Sequence, residues 1–250
     1  MLRVLVSPET VGNQTITIRD PSTLHHLTRV LRASVGDRIE CVDGQGRRYL
    51  GAITRGDARH LSVTVASSAQ DPPDPVRIVV APALIKAGRF DWLIEKATEL
   101  GAHRIQPLLT QRTAVRCSDA SGEGKLARWR RIAREAAVQC GRATLPEVAA
   151  PQPFDVVVPA FAEASLILIP TLETDGASLP QIMASRPDAA SIILLVGPEG
   201  DFTPEEVQQA MRRGAQPVSL GRLTLRSETA AIAGLAMLQP WLRRDAGCRR

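Results

Sequence analysis

Residues 194–206 read LLVGPEGDFTPEE. The apolar run Ile192–Val196 stops at Gly197-Pro198-Glu199-Gly200, and Thr203-Pro204-Glu205-Glu206 follows at once. A short, continuously aliphatic run suits a strand buried on both faces, as in a parallel sheet. Thr203 is placed to cap a helix, Pro204 fits its first position, and Glu206 completes a capping box. The segment therefore predicts a strand, a tight loop and a helix. In α/β sheets ligands gather at the carboxyl ends of strands. The loop is thus either a ligand site or a plain βα turn, and its own residues leave both readings open.

The 250 residues suffice for one large domain or two smaller ones, and 44% hydrophobic content supports a core. No stretch is long and apolar enough for a membrane span. The start MLRVLVSPET lacks the apolar segment and cleavage site of a signal peptide. Cys41, Cys117, Cys140 and Cys248 are scattered, which suits reduced thiols in a cytoplasmic protein better than a disulfide framework or a zinc site. His25, His26, His60 and His103 lack ligand spacing, so no metal is expected. The net charge is +5 with only three lysines, so arginine carries the excess. Guanidinium matches phosphate geometry, and a basic balance suits a nucleic-acid partner. At 3% aromatic residues, a surface built on stacked bases is disfavoured.

Residues 1–70 predict a small barrel. Short runs at Arg3–Val6, Thr15–Ile18, Arg38–Val42, Tyr49–Thr54 and Leu61–Val65 are separated by glycine-containing turns. Between them, STLHHLTRVLRASVGD (22–37) reads as a helix capped by Ser22. Leu24, Leu27, Val30 and Leu31 form its apolar face, with Arg29 and Arg32 elsewhere on it. DPPDP (71–75) is a stiff linker and the expected domain boundary. From 76 to 250, strands and helices alternate as in an α/β domain. Strands are expected at Val76–Leu84, Arg104–Leu109, Leu166–Ile169, Ile192–Val196 and Pro217–Leu220. Helices are expected around Phe90–Leu100, Leu126–Cys140 and Ser227–Leu242, and the basic tail 243–250 is expected to fray.

A second loop segment stands beside the first. SLGRLTLRSETAAIAG (219–234) ends a short strand, crosses an irregular link and opens an alanine-rich helix at Ser227-Glu228-Thr229. Neither a G-x-G-x-x-G fingerprint nor a P-loop is present, so phosphate-cradling nucleotide folds are unsupported. No G-x-S-x-G elbow supports a serine hydrolase.

Together the two segments resemble the paired cofactor-loop motifs of the SPOUT methyltransferases, and more narrowly of the RsmE-like family. HHLTRVLRASVGD (25–37), KAGRFDWLIEKATELGAHRIQPLLTQRTAVR (86–116) and REAAVQCGRATLPEV (134–148) are similar to that family at the corresponding places, so the resemblance covers nearly the whole chain. It implies an N-terminal PUA-like β-barrel that binds RNA, a C-terminal SPOUT α/β domain with a trefoil knot, and a homodimer. It implies S-adenosyl-L-methionine as cofactor and N3 of a uridine in small-subunit (16S) ribosomal RNA as methyl acceptor. The RNA is either free or within the assembled subunit. By position, Leu172, Gly197, Gly200, Leu220, Gly221 and Leu225 are the expected cofactor contacts.

Uracil N3–H is a weak acid; a site can meet this by stabilising the deprotonated base, a fixed guanidinium does that well, and Arg226 is the candidate. Its alternative is an ion pair with Glu228. Glu199 or Glu228 could serve as general base. Equally, Glu228 could be a first-turn acid favoured by the helix dipole and Glu199 a loop-ordering residue. Arg29, Arg32 and Arg112 are candidates for phosphate contacts. Two rival readings remain: a SPOUT enzyme acting on another RNA or base position, and a non-catalytic RNA-binding assembly factor.

Overall fold

The structure is a computed structural model and describes residues 1–12, 14–57, 59–113, 119–172 and 176–242, with 119–121 described for backbone only. Cys117, Cys248 and the tail 243–250 lie outside the described residues. By internal contacts the chain divides into two compact units, Met1–Pro73 with Arg134–Leu145, and Asp74–Ala133 with Pro146–Arg250.

The first unit holds β1 (Leu2–Leu5), β2 (Thr15–Ile18), α1 (Pro21–His25), β3 (Arg38–Val42), β4 (Arg47–Gly56) and β5 (Leu61–Gln70). The sheet order is β1-β3-β4-β5-β2, antiparallel except for the β1–β3 pair. Alternate residues of all five strands bury against Leu24 and Leu27, with Ile16, Ile39 and Ile53 among the most enclosed. Cys41 belongs to this core, and its burial pushes the thiol up to about 12, with the neighbouring Glu40 charge adding to the effect.

The helix expected over 22–37 is shorter and differently capped. Asp20, not Ser22, is the N-cap: its carboxylate accepts the Thr23 N–H at 2.8 Å, and the Ser22 hydroxyl donates to it at 2.6 Å. After α1 the backbone widens to a π-helical turn over His26–Val30. Arg32 then lies outside the helix at φ 53°. This change of winding breaks the 3.6-residue stripe, so Val30 and Leu31 are exposed where the periodicity placed them inside.

In the second unit come β6 (Arg77–Pro82), α2 (Ala87–Glu99), β7 (Arg104–Ile105) and β8 (Leu108–Leu109). The single strand expected over 104–109 is interrupted at Gln106-Pro107, because Pro107 has no N–H for the ladder. Then follow α3 (Asp119–Cys140), whose residues from Arg134 onward belong to the first unit, β9 (Glu147–Val148), β10 (Gln152–Pro153), α4 (Phe154–Ala160), β11 (Leu166–Pro170), β12 (Ala177–Ser178) and α5 (Leu179–Ser185). The unit closes with β13 (Ser191–Val196), α6 (Pro204–Arg212), β14 (Ala215–Ser219) and α7 (Ser227–Leu242).

Seven of these strands form one all-parallel sheet in the order β12-β14-β11-β13-β6-β7-β9. β13 is flanked by β6 and β11, both earlier in the chain, and its alternate residues enter two cores. Ile192, Leu194 and Val196 pack with side chains of α2, α5 and α7. Ile193 and Leu195 pack with side chains of α4 and α6. This two-sided burial is why the strand is aliphatic throughout. α7 lies close on that strand: a Cβ at Gly234 would stand 2.7 Å from a Leu194 methyl. No helix among the described residues is long and apolar enough to cross a membrane.

Candidate functional site

β11, β13 and β14 are adjacent in the sheet and end side by side at Pro170, Val196 and Ser219. The three loops that follow enclose a cavity of about 290 Å³. Its walls are Thr171–Leu172, Gly197–Glu199 with Asp201, and Leu220–Leu225 without Arg222, and Ser227 and Ala230 of α7 close the floor. Among the lining residues only Glu199 and Asp201 are ionisable, so the wall carries negative charge. Leu172 and Leu223 are 71% and 78% exposed, and they give the cavity an apolar rim.

The loop after β13 is fixed from several directions. Gly197 is buried and has no room for a side chain: a Cβ there would meet Asp201 Oδ1 at 2.9 Å and the Phe202 nitrogen at 3.0 Å. The Ser227 hydroxyl donates to the Gly197 carbonyl at 2.6 Å, which ties this loop to the start of α7. Arg112 donates from Nη1 to the Gly200 and Phe202 carbonyls at 2.6 and 3.1 Å. Thr203 and Glu206 form the expected capping box. Both Glu206 oxygens are used, one by the Thr203 N–H and one by the Gln111 N–H, each at 2.9 Å.

Of the expected cofactor residues, Leu172, Gly197, Leu220, Gly221 and Leu225 line the cavity. Gly200 does not: it is exposed and lies against the Arg112 side chain. Of the expected catalytic residues, Glu199 lines the cavity, whereas Arg226 and Glu228 do not. Arg226 is the residue before α7, flanked by the lining residues Leu225 and Ser227. Its side chain is exposed and forms no ion pair with Glu228. Glu228 instead faces Arg89, which stands 3.7 Å from it and 3.5 Å from Glu199. Glu228 is buried, and its Oε2 has no hydrogen-bond partner among the described residues. Arg29 and Arg32 are exposed on the first unit, and Arg112 belongs to the second, beside the loop just described.

Two residues of this site escape sequence reasoning. Arg89 joins both acids, and its signal is an oddity: a cation in the first turn of a helix opposes the dipole. Asp201 sits at φ 59° and hydrogen-bonds to Thr171 and Leu172. Only the tolerance of aspartate for left-handed backbone hints at it.

Residues 72–239 match the RNA methyltransferase domain family, and residues 18–66 match the RNA methyltransferase PUA domain family. A ribosomal RNA small subunit methyltransferase E of Synechocystis is 38% identical over 244 residues, covering 96% of this chain and 78% of that protein. The chain belongs to this RNA methyltransferase family. Within the family, a Neisseria gonorrhoeae ribosomal RNA small subunit methyltransferase E solved with S-adenosylmethionine superposes with a TM-score of 0.85. It is 28% identical, covering 96% of this chain and 97% of the other. A Legionella pneumophila protein, also solved with S-adenosylmethionine, is similar at a TM-score of 0.85 and 30% identity, with coverages of 96% and 97%. Membership accounts for the two-unit layout, a PUA-type sheet followed by a parallel α/β sheet.

Proposed function

We propose that this chain methylates N3 of a uridine in small-subunit ribosomal RNA, with S-adenosylmethionine held in the cavity beyond β11, β13 and β14. The observation that carries this reading is the charge and shape of that cavity. A nucleotide site would present cations to phosphate. Here the only ionisable lining groups are two carboxylates, set behind an apolar rim. That combination fits a ligand with an aromatic ring, no phosphate and a net positive centre. Leu172, Leu223 and Leu225 would cover the adenine ring, and the Gly197 and Leu220–Gly221 backbone would come close to the rest.

The bound cofactor supplies an electrophilic methyl group on a sulfonium. The chain's own residues must then make uracil N3 a nucleophile. The exposed Arg226, flanked in sequence by the lining residues Leu225 and Ser227, would stabilise negative charge on the uracil carbonyl oxygens as the N3 proton leaves. Of the two acids, Glu199 is the better placed to take that proton, because it lines the cavity while Glu228 Oε2 is buried away from solvent. Arg89 stands between the two carboxylates, 3.5 Å from Glu199 and 3.7 Å from Glu228.

Residues 1–70 would grip RNA as a PUA-like domain through Arg29 and Arg32. The Pro-rich stretch 71–75 would be the linker, and 76–250 the SPOUT catalytic domain, knotted, homodimeric and at work in the cytoplasm. Titration calorimetry with S-adenosylmethionine and mass mapping of ribosomal RNA from a strain lacking the protein test the reading. It requires a saturable binding site and the loss of one N3-methyluridine from the small-subunit RNA. Absence of either overturns it.

A further inference from the structure

Asp201 does more than turn the chain. Its φ of 59° is a conformation that glycine adopts freely and other residues reach at some cost. In return its carboxylate is fully engaged. Oδ1 accepts the N–H of Phe202 at 2.8 Å. Oδ2 accepts the Leu172 N–H at 2.8 Å and the Thr171 hydroxyl at 3.0 Å. Thr171 and Leu172 leave β11, whereas Asp201 follows β13, so one side chain joins the loops of two neighbouring strands. Gly197 packs against the same Oδ1.

We propose that Asp201 is a positioning residue for the cofactor cavity. By clasping Thr171–Leu172 to the loop after β13, it holds the Leu172 side chain at the rim before any ligand arrives. This inference rests on the cavity being the S-adenosylmethionine site. Asp201 acts through the Leu172 backbone and is assigned no part in the chemical step. The third wall, Leu220–Leu225, lies outside its reach, so the clasp preorganises two of three walls. Apparent affinity falls by the fraction of molecules in the competent arrangement, so a loop that closes a tenth of the time binds about tenfold more weakly.

The test compares the wild type with Asp201→Gly and Asp201→Asn. Glycine keeps the backbone conformation and removes the clasp. Asparagine tolerates the same backbone and keeps one acceptor oxygen, but it turns an amide N–H toward one of the donors. Calorimetric titration with S-adenosylmethionine should give a Kd raised about tenfold for D201G and by an intermediate factor for D201N. At saturating cofactor, methyl transfer to small subunits should keep its kcat within about threefold, which places the loss in KM for the cofactor. The melting midpoint should move by only a few degrees. A wild-type Kd in D201G overturns the inference alone, and so does a kcat loss with Kd unchanged. If D201G fails to fold, a wild-type Kd in D201N overturns it. Failure of the wild type to bind the cofactor defeats the site assignment, and this inference falls with it.

Discussion

Arg226 and Arg89 are both guanidinium groups near one cavity, yet their surroundings give them different work. Arg89 stands between Glu199 and Glu228, and its charge is spent on them. Arg226 is exposed and leaves its fork available to a substrate. Replacing Arg226 with alanine should therefore leave cofactor affinity within about twofold while lowering kcat by roughly 100- to 1,000-fold, the loss typical of a single charge-stabilising donor. Single-turnover methyl transfer beside calorimetry checks this. Lysine should restore little, since a point charge does not reproduce the planar fork. At this scale the sequence exposes residues whose role is local. Gly197 and Gly221 are marked by position in a turn, and Thr203 and Glu206 by their spacing. Asp201 and Arg89 are not legible in that way, because their partners lie 29 and 30 residues off in one case and more than 100 in the other.

Elements show where burial must be matched by polar partners. Glu206 is almost fully buried, and it satisfies the first turn of α6 and the Gln111 N–H together. Glu206→Ala would leave the N–H of buried Thr203 without its acceptor and should cost roughly 1–3 kcal/mol, measurable by urea unfolding. Between β1, β3 and β4, Glu40 is buried under Arg3 at 2.5 Å and Arg48 at 3.0 Å, and Arg48 also pairs with Asp71 at 2.7 Å. Burial alone would raise the Glu40 carboxyl, but hydrogen bonds and charge from the two arginines outweigh it and hold it below the usual glutamate range. A depressed folded-state value means the contribution is fully present above the unfolded value of roughly 4.3, and is lost as pH falls through the folded one. Glu40→Gln should therefore flatten the acid limb of the stability curve, seen as a smaller drop in urea midpoint below about pH 4.3 than the wild type shows. The central elements are readable from periodicity: β2, β3 and α7 have the bounds their hydrophobic patterns suggest. α4 and α5 are missed because each is seven residues long, too short for a helical stripe to repeat. The π-helical turn after α1 is missed because it breaks the period on which the reading depends.

For the whole molecule, a net charge of +5 points to a polyanionic partner, but the arginines that supply it are not equivalent. Sequence treats Arg29, Arg32 and Arg112 alike. The structure leaves Arg29 and Arg32 exposed on the first unit, and it engages Arg112 with the carbonyls of Gly200 and Phe202. That difference could not be read from the chain, since it depends on a contact across some 90 positions. It separates two kinds of loss. An arginine that neutralises a phosphate releases counterions, so removing it lowers the slope of log affinity against log salt by about one and leaves cofactor binding alone. An arginine that braces the loop after β13 does the reverse. Arg29→Ala and Arg32→Ala should each flatten the salt dependence of ribosomal RNA binding by about one unit, with the S-adenosylmethionine Kd unchanged. Arg112→Ala should weaken S-adenosylmethionine several-fold and change the salt slope by well under one unit, because the carbonyls it frees flank the lining residue Asp201 in the loop after β13. Filter-binding titrations across a salt series, paired with calorimetry on the same three variants, distinguish the cases. A full-unit slope change for Arg112→Ala with unaltered cofactor affinity would return that residue to the RNA-binding set.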